Sequence, residues 1–193
     1  MKERVSKAVV NWLLKDDEEK QKYYEIYLFG IDQMLGNIIN ILTAMIIGIL
    51  FGELLRTIIF VTAFMVIRSY AGGYHASSTL RCYILTNIAI IVVLSAMKFI
   101  TFSSTFLGCL SVMNSMVILI LAPVDTENKR LDEIECIHYR KKTIIVWSVE
   151  VVITIFCAIL QYKLIAESVI FAQVVLSLSL IGGQIHNLHE KGK

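Results

Sequence analysis

Six apolar runs, nearly free of charge, dominate the sequence at roughly 31–51, 54–70, 83–99, 104–123, 143–161 and 164–183. A helix needs about 20 mostly apolar residues to cross the bilayer's hydrocarbon core. In that core every backbone N–H and C=O must be satisfied inside a helix or a closed barrel. The runs therefore predict an all-α, polytopic integral membrane protein with six transmembrane helices. The breaks between them are short: Gly52-Glu53, Lys98 with the Thr101–Thr105 patch, and Gln161-Tyr162-Lys163.

Composition agrees with this reading. Of 193 residues, 56% are hydrophobic and 18% charged, where a soluble domain carries about a quarter charged residues. Mean hydropathy is +0.69. A net charge of +2 gives nucleic acid little to hold, and no zinc-finger spacing, RNA-binding signature or basic helix-turn-helix is present. One proline and ten glycines leave no flexible linker. The chain reads as one helical membrane domain over 1–193, with residues 1–28 an amphipathic interfacial segment and 29–193 the transmembrane helices.

Met1 to Lys22 carries both signs of charge and does not read as a cleavable signal peptide. Val5, Ala8, Val9, Trp12 and Leu13 form a helical apolar stripe opposite Lys and Arg. Such a helix lies in the membrane interface, with its tryptophan at headgroup depth. With both termini cytoplasmic, fifteen of the 18 Lys and Arg fall inside. Only Arg56, Lys98 and Lys163 fall outside, as the positive-inside rule prefers.

The four cysteines, 82, 109, 136 and 157, show no disulfide framework. Cys109 and Cys157 lie in apolar runs and read as small hydrophobes, and Cys136 falls in a charged loop. Cys82 differs. It ends the stretch Arg68-Ser-Tyr-Ala-Gly-Gly-Tyr-His75-Ala-Ser-Ser-Thr-Leu-Arg81-Cys82, which sets polar groups between two spans. Polar residues at a membrane border mark functional sites. A histidine beside a thiol is the pairing that nucleophilic catalysis needs, because thiolate is the attacking species.

This stretch resembles the central motif of the AgrB family, the membrane endopeptidases of accessory-gene-regulator quorum sensing in Gram-positive bacteria. Arg68, Gly72-Gly73, His75 and Cys82 carry the resemblance, with seven residues from His to Cys. Ala122-Pro123-Val124-Asp125-Thr126-Glu127-Asn128-Lys129 resembles the family's second signature. The chain departs from that signature where it continues Lys129-Arg130-Leu131-Asp132-Glu133 rather than as a basic, proline-containing run.

The resemblance implies Cys82 as nucleophile and His75 as its base. It also implies a short AgrD-type propeptide as substrate, with an amphipathic leader on the membrane, removal of an acidic tail, and closure of the core into a thiolactone or lactone. It implies a bacterial cell membrane location with the site facing the cytoplasm, a homodimer, and no cofactor. The bilayer itself is the other partner.

The residues suggest the chemistry independently. A tetrahedral oxyanion needs donors, which Gly72 and Gly73 backbone N–H groups, the start of the third span, Arg68 or Arg81 could supply. Arg68 and Arg81 could equally snorkel to lipid phosphates. Residues seven apart in a continuous helix share a face but stand about 10 Å apart along it, at 1.5 Å per residue. A base must approach to about 3 Å. The chain between Tyr74 and Cys82 is therefore not one regular helix, and Gly72-Gly73 permit the bend.

Lys129, Arg130, Arg140, Lys141 and Lys142 either enforce topology or attract the acidic tail. Asp32 reads as a structural partner for an arginine such as Arg68, and Glu150 as an intramembrane carboxylate needing a partner. Cys136 with His138, and His186 with His189, give no closed metal-ligand set and no H-E-x-x-H helix. The alternative function is a small membrane transporter or peptide-export component without protease activity, using Glu150 and Asp32.

Overall fold

The computed structural model describes residues 2–14, 22–74, 79–125 and 131–191, all helical apart from turns and one isolated bridge. The helices are α1 (Lys2–Leu13), α2 (Tyr24–Phe51), α3 (Leu54–Ala71), α4 (Thr79–Phe99), α5 (Ser104–Leu121), α6 (Glu133–Ile159) and α7 (Lys163–Lys191). The last six are each long and apolar enough to span a membrane. The expected all-α, six-span architecture, preceded by a separate N-terminal helix, is the one observed.

Three boundaries differ from the hydropathy pattern by about two turns or more. The first span's helix begins at Tyr24 rather than near 31, the fifth begins at Glu133 rather than 143, and the sixth runs to Lys191 rather than 183. Charged residues from Glu133 to Lys142 lower the local hydropathy without ending the helix. At its start the Asp132 backbone N–H donates to the Glu135 carboxylate at 3.3 Å, satisfying a group that the helix leaves unpaired. Cys136 consequently sits in the first turns of α6 and not in a loop.

The spans alternate in direction through tight turns at one end. After α2, Gly52 takes the left-handed conformation at φ 70°, with Glu53 N–H reaching Gly48 O at 2.8 Å, a Schellman ending that glycine permits. The α6–α7 turn repeats the pattern, with Tyr162 N–H on Cys157 O at 2.8 Å and Gln161 at φ 63°. Charges tie this end together. Arg56 reaches the Met97 carbonyl at 2.7 Å and lies 3.8 Å from Glu167, while Lys163 lies 3.5 Å from Glu167 and donates to Phe102 O.

At the other end the connections are longer, and there the motif residues gather. α7 is the hub: 61% of its most apolar window is buried, against 11–22% in the other five spans. It packs against α3, α5 and α6, and more lightly against α4. α4 instead leans on α2, where Thr43 and Tyr83 hydroxyls meet at 3.0 Å. Ile67, Ala71, Ile118, Ala122, Val124, Leu176 and Leu180 form one buried cluster, the apolar floor under the motif. The polar residues α7 buries, Glu167, Ser168, Gln173 and Ser177, face protein rather than lipid, as membrane helices require.

α1 packs on α2 through Ser6, Val10 and Leu14, all buried. Its sequence stripe faces away, with Val5, Trp12 and Leu13 exposed. An uncovered apolar face on an amphipathic helix suits the membrane interface. Ser6 Oγ donates to Asp32 Oδ1 at 3.1 Å. This corrects the expected Asp32–Arg68 pairing: Asp32 faces α1, whereas Arg68 turns toward α7.

Candidate functional site

α3 ends where the glycine pair begins. The Gly72 N–H closes the helix on the Arg68 carbonyl at 3.0 Å, and Gly72 and Gly73 then adopt φ 70° and φ 126°. Both values lie where side chains are disfavoured. A Cβ on Gly72 would fall 2.2 Å from the Val124 carbonyl oxygen. Gly73 and Tyr74 lie outside any helix and α4 is described from Thr79. Residues 75–78, which carry most of the expected break between Tyr74 and Cys82, lie outside the described residues. His75 itself lies outside the described residues, as do Lys129 and Arg130.

Cys82 sits in the first turn of α4, half-buried. The first four N–H groups of any helix lack intrahelical acceptors, and the dipole makes that end favourable to negative charge. The Cys82 carbonyl accepts from Thr86 Oγ1 at 2.9 Å, and the neighbouring Tyr83 ties α4 to α2. Arg81 is exposed.

Arg68 is the cation of the site. Its Nη2 donates to the Tyr74 carbonyl at 2.7 Å, its Nη1 to Ser179 Oγ, and its guanidinium stands 5.5 Å from the centre of the Phe64 ring. These partners are all neutral. Among the described residues, the guanidinium beside the glycine pair is held by these neutral groups and by no carboxylate.

The two signature segments meet. Val124 N–H donates to Ala71 O at 3.0 Å, and Gly72 bridges to Val124 as in a parallel strand pair. Both segments rest on the end of α7. Tyr74 N–H donates to Ser179 O at 2.8 Å, the Tyr74 ring stands edge-on to His186 with centroids 5.7 Å apart, and Asn187 Nδ2 donates to Asp125 O at 3.0 Å. Sequence reasoning missed Ser179, Gly183 and Asn187, and considered His186 only as a metal ligand. Their spacing, with 179, 183, 186 and 187 on one helical face, is the signal that could have found them.

Of the backbone donors considered for the oxyanion, the Gly72 N–H is taken up by the Arg68 carbonyl, and the adjoining Tyr74 N–H by Ser179 O. The Gly73 N–H, the start of α4, Arg68 and Arg81 remain as candidates. The basic run on α6 borders the same region: Lys142 Nζ stands 5.3 Å from the Tyr70 ring centre, and Arg140 donates to Leu119 O at 3.3 Å. Glu150 accepts from Gln173 Nε2 at 3.2 Å between α6 and α7, on different helices from Asp32. Among the described residues no group of three or more His, Cys, Asp or Glu could hold a metal ion.

The sequence profile of Accessory gene regulator B matches residues 6–180. The chain belongs to the AgrB family. It is 29% identical over 168 residues to an AgrB-like protein of Clostridium perfringens (strain SM101 / Type A), covering 83% of this chain and 77% of that protein. A second AgrB-like protein, of Clostridium perfringens strain 13, is 27% identical over 67% of this chain and 64% of its own length. Accessory gene regulator protein B of Staphylococcus aureus strain bovine RF122 is 30% identical over 52% of this chain and 54% of its own length. No solved structure matches. Family membership and six membrane-length apolar helices make this AgrB protein a multi-pass membrane component of accessory-gene-regulator quorum sensing, related to an AgrD-type propeptide.

Proposed function

We propose that this AgrB-family chain is a membrane cysteine endopeptidase that removes the C-terminal tail of an AgrD-type propeptide and promotes ring closure of the remaining core. The carrying observation is Arg68: a part-buried cation whose partners among the described residues are all neutral, bound to the Tyr74 carbonyl just before His75, with Cys82 at the helix start that follows. Such a charge is poorly accommodated near hydrocarbon unless negative charge develops beside it.

In the proposed reaction His75 takes the Cys82 proton, and the Cys82 sulfur attacks the scissile carbonyl carbon. The resulting oxyanion is held by Arg68 and by N–H groups at the start of α4. The C–N bond breaks, His75 returns the proton to the leaving amine, and the acidic tail departs. The core remains as a thioester on Cys82. A thiol or hydroxyl of the substrate then attacks that carbonyl through His75. This forms a thiolactone or lactone and restores the Cys82 thiol. Thioester exchange is nearly isoenergetic, so ring closure needs no ATP when water is kept out.

The basic run Arg140-Lys141-Lys142 beside Tyr70 supports attraction of an acidic tail. Lys and Arg distribution supports a site facing the cytoplasm. The transporter reading gains no support, since Glu150 and Asp32 engage different helices. Cys82→Ala and His75→Ala should each abolish propeptide cleavage while the protein still reaches the membrane folded. Cleavage persisting in either variant refutes the proposed dyad.

A further inference from the structure

We infer that Ser179, on the last helix, is a positioning residue for the catalytic loop, and that Gly183 is the close approach that lets it act. The inference rests on the proposed His75–Cys82 dyad and assigns what holds it in register.

Three bonds form a closed set around Ser179. Its hydroxyl accepts from Arg68 Nη1, its carbonyl accepts from Tyr74 N–H at 2.8 Å, and Arg68 Nη2 donates to the Tyr74 carbonyl at 2.7 Å. The Tyr74 backbone is therefore fixed at both its donor and its acceptor. Tyr74 is joined directly to His75, so this set determines where the chain stands as it enters the proposed base. The other member, Arg68, is the cation proposed to hold the oxyanion. One serine thus holds both the approach to the proposed base and the cation proposed for the oxyanion.

The approach is possible because two glycines face each other. A Cβ on Gly183 would lie 2.8 Å from Tyr74 N and 3.0 Å from Gly73 C, backbone atoms that cannot swing aside. A Cβ on Gly73 would lie 2.7 Å from Ser179 Oγ and 3.2 Å from Arg68 Nη1, at a φ of 126°. The Ser179 carbonyl, inside a helix, can accept a second bond because a carbonyl oxygen has two lone pairs. Gly183 leaves that second lone pair within reach of Tyr74.

The test uses the full-length protein in lipid nanodiscs with a synthetic acidic-tailed propeptide, comparing Ser179→Thr with Ser179→Val. The two replacements are nearly isosteric and differ in the hydroxyl. Valine should lower kcat about 10-fold or more, in line with the cost of misplacing catalytic groups by about 1 Å. Its KM should change less than about twofold, because Ser179 holds the loop and not the substrate. Threonine should restore most of the rate. Gly183→Ala should lower kcat at least as far as valine. Equal kcat in the threonine and valine variants, with cleavage still dependent on Cys82 and His75, overturns the inference and leaves the function intact. If cleavage depends on neither, the function fails, and amide hydrogen exchange at Tyr74 decides the positioning role: faster exchange in Ser179→Val than in Ser179→Thr supports it, equal exchange overturns it.

Discussion

At Gly72 the backbone turns through φ 70° and ψ −144°, with the Val124 carbonyl where a side chain would begin. Alanine there meets both a disfavoured conformation and a backbone atom. Gly72→Ala should destabilise the protein by about 1–3 kcal/mol, the range for strained backbone, measured by unfolding in detergent micelles. A change within about 0.5 kcal/mol, typical of uninvolved surface positions, would show that the bridge to Val124 is unimportant. The bend at this residue was readable because two glycines coincide with a spacing that helix geometry forbids for a dyad. Ser179 was not readable in the same way. A serine in an apolar run indicates an inward face, but nothing local says which neighbour it meets 111 residues away.

α3, α4, α6 and α7 contribute differently to one site. α4 carries Cys82 and is fastened to α2 through Tyr83 and Thr43, whereas Arg68 and Tyr74 are fastened to α7. The nucleophile candidate and the approach to its base thus stand on different parts of the bundle. α6 brings Arg140, Lys141 and Lys142, all exposed, to the same end. Neutralising these three to Gln should raise KM for an acidic-tailed propeptide several-fold and weaken its dependence on ionic strength, because exposed charges act through screened attraction. Steady-state kinetics at two salt concentrations would show this. An unchanged KM would leave the run with topology alone. The helical character of residues 133–142 was hidden by their charge, since hydropathy marks where apolar sequence starts rather than where hydrogen bonding starts.

Across the whole molecule, short charged turns close one end and longer connections carry the motifs at the other. The number of spans was readable from hydropathy because lipid admits few alternatives. The central place of α7 was not, since its apolar window matches the others in mean hydropathy, 2.1 against 1.6 to 2.1, and only packing distinguishes it. The charge bias predicts that a cysteine placed at Gln161 reacts with an impermeant maleimide from outside the cell, and one at His189 only after permeabilisation. The reverse pattern would invert the site's orientation. The most direct test of the central claim is mass spectrometry of the protein quenched in acid during turnover of the propeptide. The account predicts an adduct on Cys82 equal to the propeptide lacking its tail, labile to hydroxylamine and absent from Cys82→Ala. Tail release at full rate with Cys82 unmodified, or by Cys82→Ala, would contradict it.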